Sequence, residues 1–263
     1  GVHVAYGLAG LKIHTKTAMV VREEADGIRR YCHLGTGNYN HRTARIYEDL
    51  GLLTADPVIG DDLADLFNYL TGYGRDIGYE RLLVAPEGLR ADLADLIDQE
   101  IASGRGWIVM KMNGLVDAPM ISKLYEASQA GVDIDLIVRG TCCLRPGVAG
   151  MSERIRVRSV IGRFLEHSRI FQFGNGRGPG QPITYIGSAD LMSRNLNRRV
   201  EVLVRIDDPV LTGRLQEVID IGLTDDQLAW TLDGDGVWTR RSGPAGIDSH
   251  VRLQHLATAR SCA

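Results

Sequence analysis

Trp107-Ile108-Val109-Met110-Lys111-Met112 and, further on, Ile134-Asp135-Leu136-Ile137-Val138 are the two stretches that decide the fold. Each is a short run rich in branched apolar side chains, which suits a strand buried on both faces of a parallel sheet. Between them, Asp117 can cap a helix that has Pro119 in its first turn and runs to about Ala130, and Gly131 ends it. Strand, helix and strand make a β-α-β unit. The loop after the second strand carries Arg139 and Arg145. In open α/β sheets, ligands bind beyond the carboxyl ends of the strands, where these arginines would sit.

Working outward, residues 11–21 alternate as a strand, and residues 28–34 make a second strand joined to it by the polar loop 22–27. Asp26-Gly27 favours a tight hairpin turn. Residues 61–73 and 87–103 space Leu and Ile as helices do. Residues 164–173 and 182–188 read as strand, glycine-rich loop, strand, followed by a strand over 199–206, a helix over 209–221 and a hairpin at 232–238. The opening Gly1 to Tyr6 reads as an interior strand and lacks an initiator Met, so the chain is expected to be part of a longer protein. The fold class expected is α/β.

With 263 residues, 44% hydrophobic and 24% charged, the chain can bury one large core or two ordinary ones. No apolar run is long enough to span a bilayer, and no charged-then-apolar leader opens it. Cys32, Cys142, Cys143 and Cys262 form no C-x-x-C pair, which argues against a cysteine zinc site and for a reducing compartment. Net charge is −3 but uneven: residues 139–205 hold twelve Arg, no Lys and four acids, and residues 1–46 hold seven basic residues against three acids. Arginine grips phosphate with a planar fork, so the block is expected to form an anion-binding face.

One pattern occurs twice. His14-Thr15-Lys16 precedes Gly35-Thr36-Gly37-Asn38 by 21 residues, and His167-Ser168-Arg169 precedes Gly187-Ser188-Ala189-Asp190 by 20, counted from His to Gly. On a strand, residues i and i+2 share a face, so each histidine is expected beside its cation. A neighbouring cation opposes imidazole protonation, which suits a nucleophile or base. The glycine and hydroxyl would supply donors for phosphoryl oxygens. His3, His33, His41, His250 and His255 are read as ordinary structural positions.

Paired His-x-Lys strands resemble the phospholipase D superfamily. That family places an Asp seven residues after the His, where this chain has Val21 and Gly174. A closer resemblance is to bacterial polyphosphate kinases, through Gly10 to Lys16, His33 to Tyr39, Thr43 to Tyr47, Arg139 to Gly147 and Phe164 to Arg169. It implies two related phospholipase D-like sheet units with flanking helices, the first truncated at its N-terminus. Residues 1–81 would complete the first catalytic domain and residues 82–263 would form the second.

The resemblance also implies a reaction: reversible transfer of the ATP terminal phosphate to inorganic polyphosphate through a phosphohistidine. His14 would accept the phosphoryl group, and His167 would be the second catalytic histidine and touch the nucleotide. Tyr47 and Arg139 would contact the nucleotide, and Lys16, Arg145 and Arg169 the phosphates. The cofactor expected is Mg2+, carried on ATP; no metal ligand is assigned in this chain, and those the family uses are expected before residue 1. A homo-oligomer of the longer protein, with no nucleic-acid partner, is expected in the cytoplasm, at most peripheral to the inner membrane. The rival readings are a phosphodiesterase, weakened by Val21 and Gly174, a non-catalytic polyanion-binding fragment, and an arginine-based nucleic-acid binder, weakened by the few aromatic residues.

Overall fold

The computed structural model describes residues 1–72 and 78–261. In chain order the strands and helices are β1 (Lys12–Ile13), β2 (Thr17–Glu24), β3 (Gly27–Gly35), β4 (Tyr47–Glu48), β5 (Gly51–Thr54), α1 (Pro57–Leu70), β6 (Leu82–Ala85), α2 (Leu89–Ser103), β7 (Trp107–Met112), α3 (Ala118–Gln129) and β8 (Asp133–Val138). They continue as β9 (Ile155–Val160), β10 (Leu165–Glu166), β11 (Ile170–Phe173), β12 (Ile183–Gly187), α4 (Ser193–Arg198), β13 (Arg199–Ile206), α5 (Pro209–Thr224), β14 (Ala229–Leu232), β15 (Trp238–Arg240) and α6 (Ser249–Ser261). The α/β class holds.

A mixed sheet runs in the order β1-β13-β12-β11-β7-β8-β9-β14-β15, with β6 also on β13. Its centre is the β-α-β unit: β7 and β8 pair in parallel, Ile108 opposite Ile134 and Met112 opposite Val138. Asp117 caps α3 by accepting the Met120 N–H. Alternation along β7 sends Ile108, Met110 and Met112 into the core under α2 and α3, and Val109 into the core under α1 and α5. Each such side chain, fully buried, contributes about 1.5–3 kcal/mol. Helix α1 presents Ile59, Leu63, Leu66 and Leu70 along one stripe, and Asp56 caps it by accepting the Val58 and Ile59 N–H groups.

Strand β13 joins the two halves of the chain. One edge pairs antiparallel with β12. The other edge is shared by β1, parallel at Arg199 and Val200, and β6, antiparallel from Glu201 to Val204. A three-stranded sheet β2-β3-β5 and the short parallel pair β4-β10 complete the fold.

Several expectations change. Gly1 to Tyr6 is not a strand: it has no pairing partner among the described residues, and Val2, Val4 and Tyr6 stay exposed. The expected strands 11–21 and 164–173 are each broken in two, at residues 14–16 and 167–169. The expected loop 22–27 is mostly strand, with β2 reaching Glu24. Strands β6 and β9 were hidden in the sequence, being short or interrupted by arginines. The helix expected at 61–73 starts earlier, at Pro57, and ends at Leu70; residue 73 lies outside the described residues, as does Cys262.

The arginine block does not act as one face. Arg154 and Arg156 on or beside β9 pair with Asp133 and Asp135 of the adjacent β8, Arg177 and Arg205 pair with Asp207, and Arg158 donates to carbonyls at the end of α5. These arginines neutralise local acids. Arg139, Arg169 and Arg199 are the ones whose bonds reach the cluster described next.

Candidate functional site

The two His-x-cation segments occupy matching three-residue gaps, 14–16 between β1 and β2 and 167–169 between β10 and β11. At the first gap the N–H groups of His14 and Thr15 both bond the single carbonyl of Val200, each at 3.0 Å, so the chain steps off the ladder there. At the second, the His167 N–H bonds the Glu48 carbonyl at 3.0 Å.

Each histidine is held by an acid from the other copy. His14 Nδ1 donates to Glu201 at 2.8 Å, and His167 Nδ1 donates to Asp49 at 2.7 Å. The acids are held alike. Thr36 donates to Asp49 at 2.8 Å and accepts the Leu50 N–H; Ser188 donates to Glu201 at 2.5 Å and accepts the Val202 N–H. Asn195 adds a bond to Glu201 at 2.6 Å. With Nδ1 committed to a carboxylate, Nε2 carries the lone pair, and Lys16 and Arg169 stand 3.0 and 3.1 Å from it in the two copies; the acid stabilises positive charge that develops on the ring.

The sequence reading missed Asp49 and Glu201. The signal was present: hydroxyl to acid is 13 residues in both copies. Extending the duplicated pattern by that distance would have found both.

The cations differ. Lys16 Nζ stands 3.0 Å from both ring nitrogens of His14 and 2.5 Å from the His14 carbonyl. Lys16 is only 5% exposed and makes no ion pair among the described residues, and burial brings its ammonium down to about 8. Arg169 bonds Asp190 through Nε and Nη2, at 3.3 and 3.0 Å, and spends Nη1 on the carbonyls of Thr36 and His167. It therefore holds the two copies together.

Burial lowers the His167 pKa first, with the charges of Arg169 and Arg139 adding to it and Asp49 opposing it. For Asp49, burial pushes upward, but bonds from His167 and Thr36 and the nearby positive charges outweigh it and hold the carboxyl below its ordinary value.

The remaining expected residues fall in three places. The Tyr47 ring lies 4.8 Å from the His167 ring, at the cluster. Arg139 donates to the Glu166 carbonyl at 2.9 Å, one residue from His167. Arg145 faces away: its backbone bonds Tyr125 and its side chain lies 4.0 Å from Asp235 at the β14-β15 tip.

Two places bring acids together where a metal could sit. Among the described residues, the acids touching the histidines and their cations are Asp49, Glu201 and Asp190, and each already bonds a histidine or an arginine. Behind them, Glu48, Glu166 and His250 bring ligand atoms within 4.8 Å of one another. There Lys111 and Ser168 already bond Glu166, at 2.6 and 3.0 Å. His250 Nδ1 accepts the Phe164 N–H, so a neutral ring carries its proton on Nε2 and presents no lone pair there. Burial and the charge of Glu166 raise Glu48 to about 7. This cluster fits a shared proton better than a cation.

An α/β fold that brings two histidines, each braced by the acid of the opposite copy, into one cluster with Lys16 and Arg169 carries the groups that phosphoryl- or phosphodiester-transfer chemistry uses. The family described as "Polyphosphate kinase C-terminal domain 1" matches residues 1–76, and "Polyphosphate kinase C-terminal domain 2" matches residues 82–251. The chain belongs to the polyphosphate kinase family. A curated polyphosphate kinase of Synechocystis is 55% identical over 267 residues, covering 100% of this chain and 36% of that protein. One from Streptomyces coelicolor is 54% identical over 260 residues, covering 97% of this chain and 34% of that protein. The chain thus spans about a third of these relatives. The crystal structure of polyphosphate kinase from Porphyromonas gingivalis superposes with TM-score 0.89 at 36% identity, over 97% of this chain and 40% of that one. Phosphatidylserine synthase from Haemophilus influenzae shares the fold, with TM-score 0.54 at 11% identity, over 95% of this chain and 69% of that one. No helix among the described residues is long and apolar enough to cross a membrane.

Proposed function

We propose that this chain is the histidine-bearing part of a polyphosphate kinase, in which His14 takes the terminal phosphoryl group of ATP and passes it to the end of a polyphosphate chain. The observation that carries the reading is the bond from His14 Nδ1 to Glu201 beside the unpaired ammonium of Lys16. In the forward half-reaction, His14 Nε2 attacks the γ-phosphorus, the bond to the β-bridging oxygen breaks and ADP leaves. In the second, a terminal polyphosphate oxygen attacks the phosphorus and the P–N bond breaks, returning its electron pair to His14. Two displacements replace one.

Glu201 holds the ring and balances its charge, and Lys16 meets the phosphoryl oxygens. His167, braced by Asp49, moves a proton to or from the leaving and attacking oxygens, and Tyr47 and Arg139 beside it contact the nucleotide. Arg145 and Arg169 would shape the anion path more than grip the reacting group. Magnesium would arrive on the ATP phosphates, and no step here runs through it. Residues 1–81 and 82–263 would act as the two catalytic halves of a cytoplasmic, oligomeric enzyme.

The test is labelling of the full-length protein with γ-32P-labelled ATP. The label should be acid-labile and base-stable, and His14→Ala should abolish both it and polyphosphate synthesis. Label that survives the substitution would refute the assignment, and so would hydrolysis of a phosphodiester reporter without any labelled intermediate.

A further inference from the structure

Strands β4 and β10 pair through two rungs, Tyr47 with Leu165 and Glu48 with Glu166. The residues next along both chains are Asp49 and His167, whose side chains bond at 2.7 Å. The ladder itself is held by the Leu165 N–H on the Ile46 carbonyl, at 2.8 Å, and the His167 N–H on the Glu48 carbonyl, at 3.0 Å. The reach of Asp49 to His167 therefore depends on how this short ladder is seated.

Successive side chains leave a strand by opposite faces, so Glu48 and Glu166 meet on the side away from Asp49 and His167. Lys111 of β7 bonds both Glu166 and Ser168 at 2.6 Å, and Ser168 donates to Glu166 at 3.0 Å. His250 of α6, 3% exposed, completes the cluster. Asp49 adds a like charge beside Glu48, and Arg139, which donates to the Glu166 carbonyl, feels the Glu166 charge. Two carboxylates thus face one ammonium, which bonds only Glu166. Glu48 Oε2 and His250 Nε2 are buried with no partner among the described residues. Burial, then the charge of Glu166, raises Glu48 to about 7. Burial also pushes Glu166 upward, but Lys111 outweighs it and holds that carboxyl below its ordinary value.

We propose that Glu48 is a positioning residue: its carboxyl shares one proton with Glu166, and in that form it seats β4 on β10 and holds Asp49 against His167. When the proton leaves, two buried anions repel across the last rung, the ladder spreads, and Asp49 loses the ring. This rests on the reading of His167 as the histidine that moves protons.

The test is the reactivity of His167 in the full-length enzyme, read by acylation with diethyl pyrocarbonate and mass spectrometry of the modified residue. Its imidazole titrates below the ordinary histidine value, so a firmly held ring should react at a level rate above about pH 7. In the parent the rate should instead climb about 3- to 10-fold around pH 7, as Glu48 ionises. Glu48→Gln stays neutral and should hold the rate level. Glu166→Gln leaves a single carboxylate for Lys111 and should do the same, and it decides the matter if Glu48→Gln fails to fold. Labelling of His14 should fall above about pH 7 in the parent, and in both variants persist to about 8, where Lys16 loses its proton. A level parental profile overturns the inference, and so does a climb that survives in a folded variant. A parent that shows the climb but carries no label keeps the role of Glu48 and refutes the phosphohistidine reading instead.

Discussion

His14 and Glu201, 187 residues apart in sequence, meet at 2.8 Å, and Glu201 is fully buried with Ser188 and Asn195 as its other partners. Arg199 stands 3.9 Å from it, and the carboxylate is placed to accept from the histidine and balance its charge. Glu201→Gln keeps the shape but can present an N–H to Nδ1, which favours the wrong tautomer. By comparison with other acid-oriented histidines, phosphorylation of His14 should slow about 10²- to 10⁴-fold with little change in ATP KM. Single-turnover labelling of the full-length enzyme reads this directly. Near-normal labelling would mean that Glu201 serves only the core.

The Asp49–His167 pair makes a different prediction, in pH. Asp49 raises the His167 pKa while burial and Arg169 lower it. Asp49→Asn should therefore move the His167 titration to lower pH, and the acidic limb of the rate profile should follow. 15N-resolved NMR of the imidazole checks the first, and rate against pH checks the second. A shift upward would contradict the charge balance described for this ring.

Lys16 should trade stability for function. Its ammonium, lowered from 10.5 to about 8, binds fewer protons in the folded chain than in the unfolded chain between those values. The unfolded state then holds more protons, so stability rises with pH across that window, and below it the buried charge costs on the order of 2–3 kcal/mol. Lys16→Met should raise the urea midpoint at pH 7, flatten the rise between about pH 8 and 10.5 and abolish labelling. An unchanged or lower midpoint would show that the ammonium is not a net burden.

Arg169 should behave in the opposite way. It is 2% exposed and bound to Asp190, so Arg169→Met leaves a buried carboxylate without its partner. Breaking such a pair from one side typically costs about 3–5 kcal/mol. Denaturant unfolding should show the loss, and Arg169→Met with Asp190→Asn should recover part of it. Two cations at equivalent positions would then change stability in opposite directions.

Much of this was legible in the sequence because it is local. The strand Trp107 to Met112, the cap at Asp117 and the helix from Pro209 follow from runs of neighbouring residues, and so does the repeated His-x-cation pattern. The breaks at His14 and His167 were not legible, since they arise from Val200 and Glu48, which lie far away in the chain. The strand argument placed each cation beside its histidine for a reason the structure replaces. In both copies the cation bonds back to its own histidine's carbonyl across the break. The arginine block was misread for a related reason: sequence counts charges, while the acids that cancel Arg154 and Arg156 sit on the adjacent strand β8.

Because each acid serves the histidine of the opposite copy, the duplication did not create two independent half-enzymes. A change at Asp49 is felt at His167, and a change at Glu201 is felt at His14. Strand β13 tightens the tie, since Val200 and Glu201 receive the first histidine while their own segment belongs to the second copy. A substitution in either half is therefore expected to register first in the proton chemistry of the other.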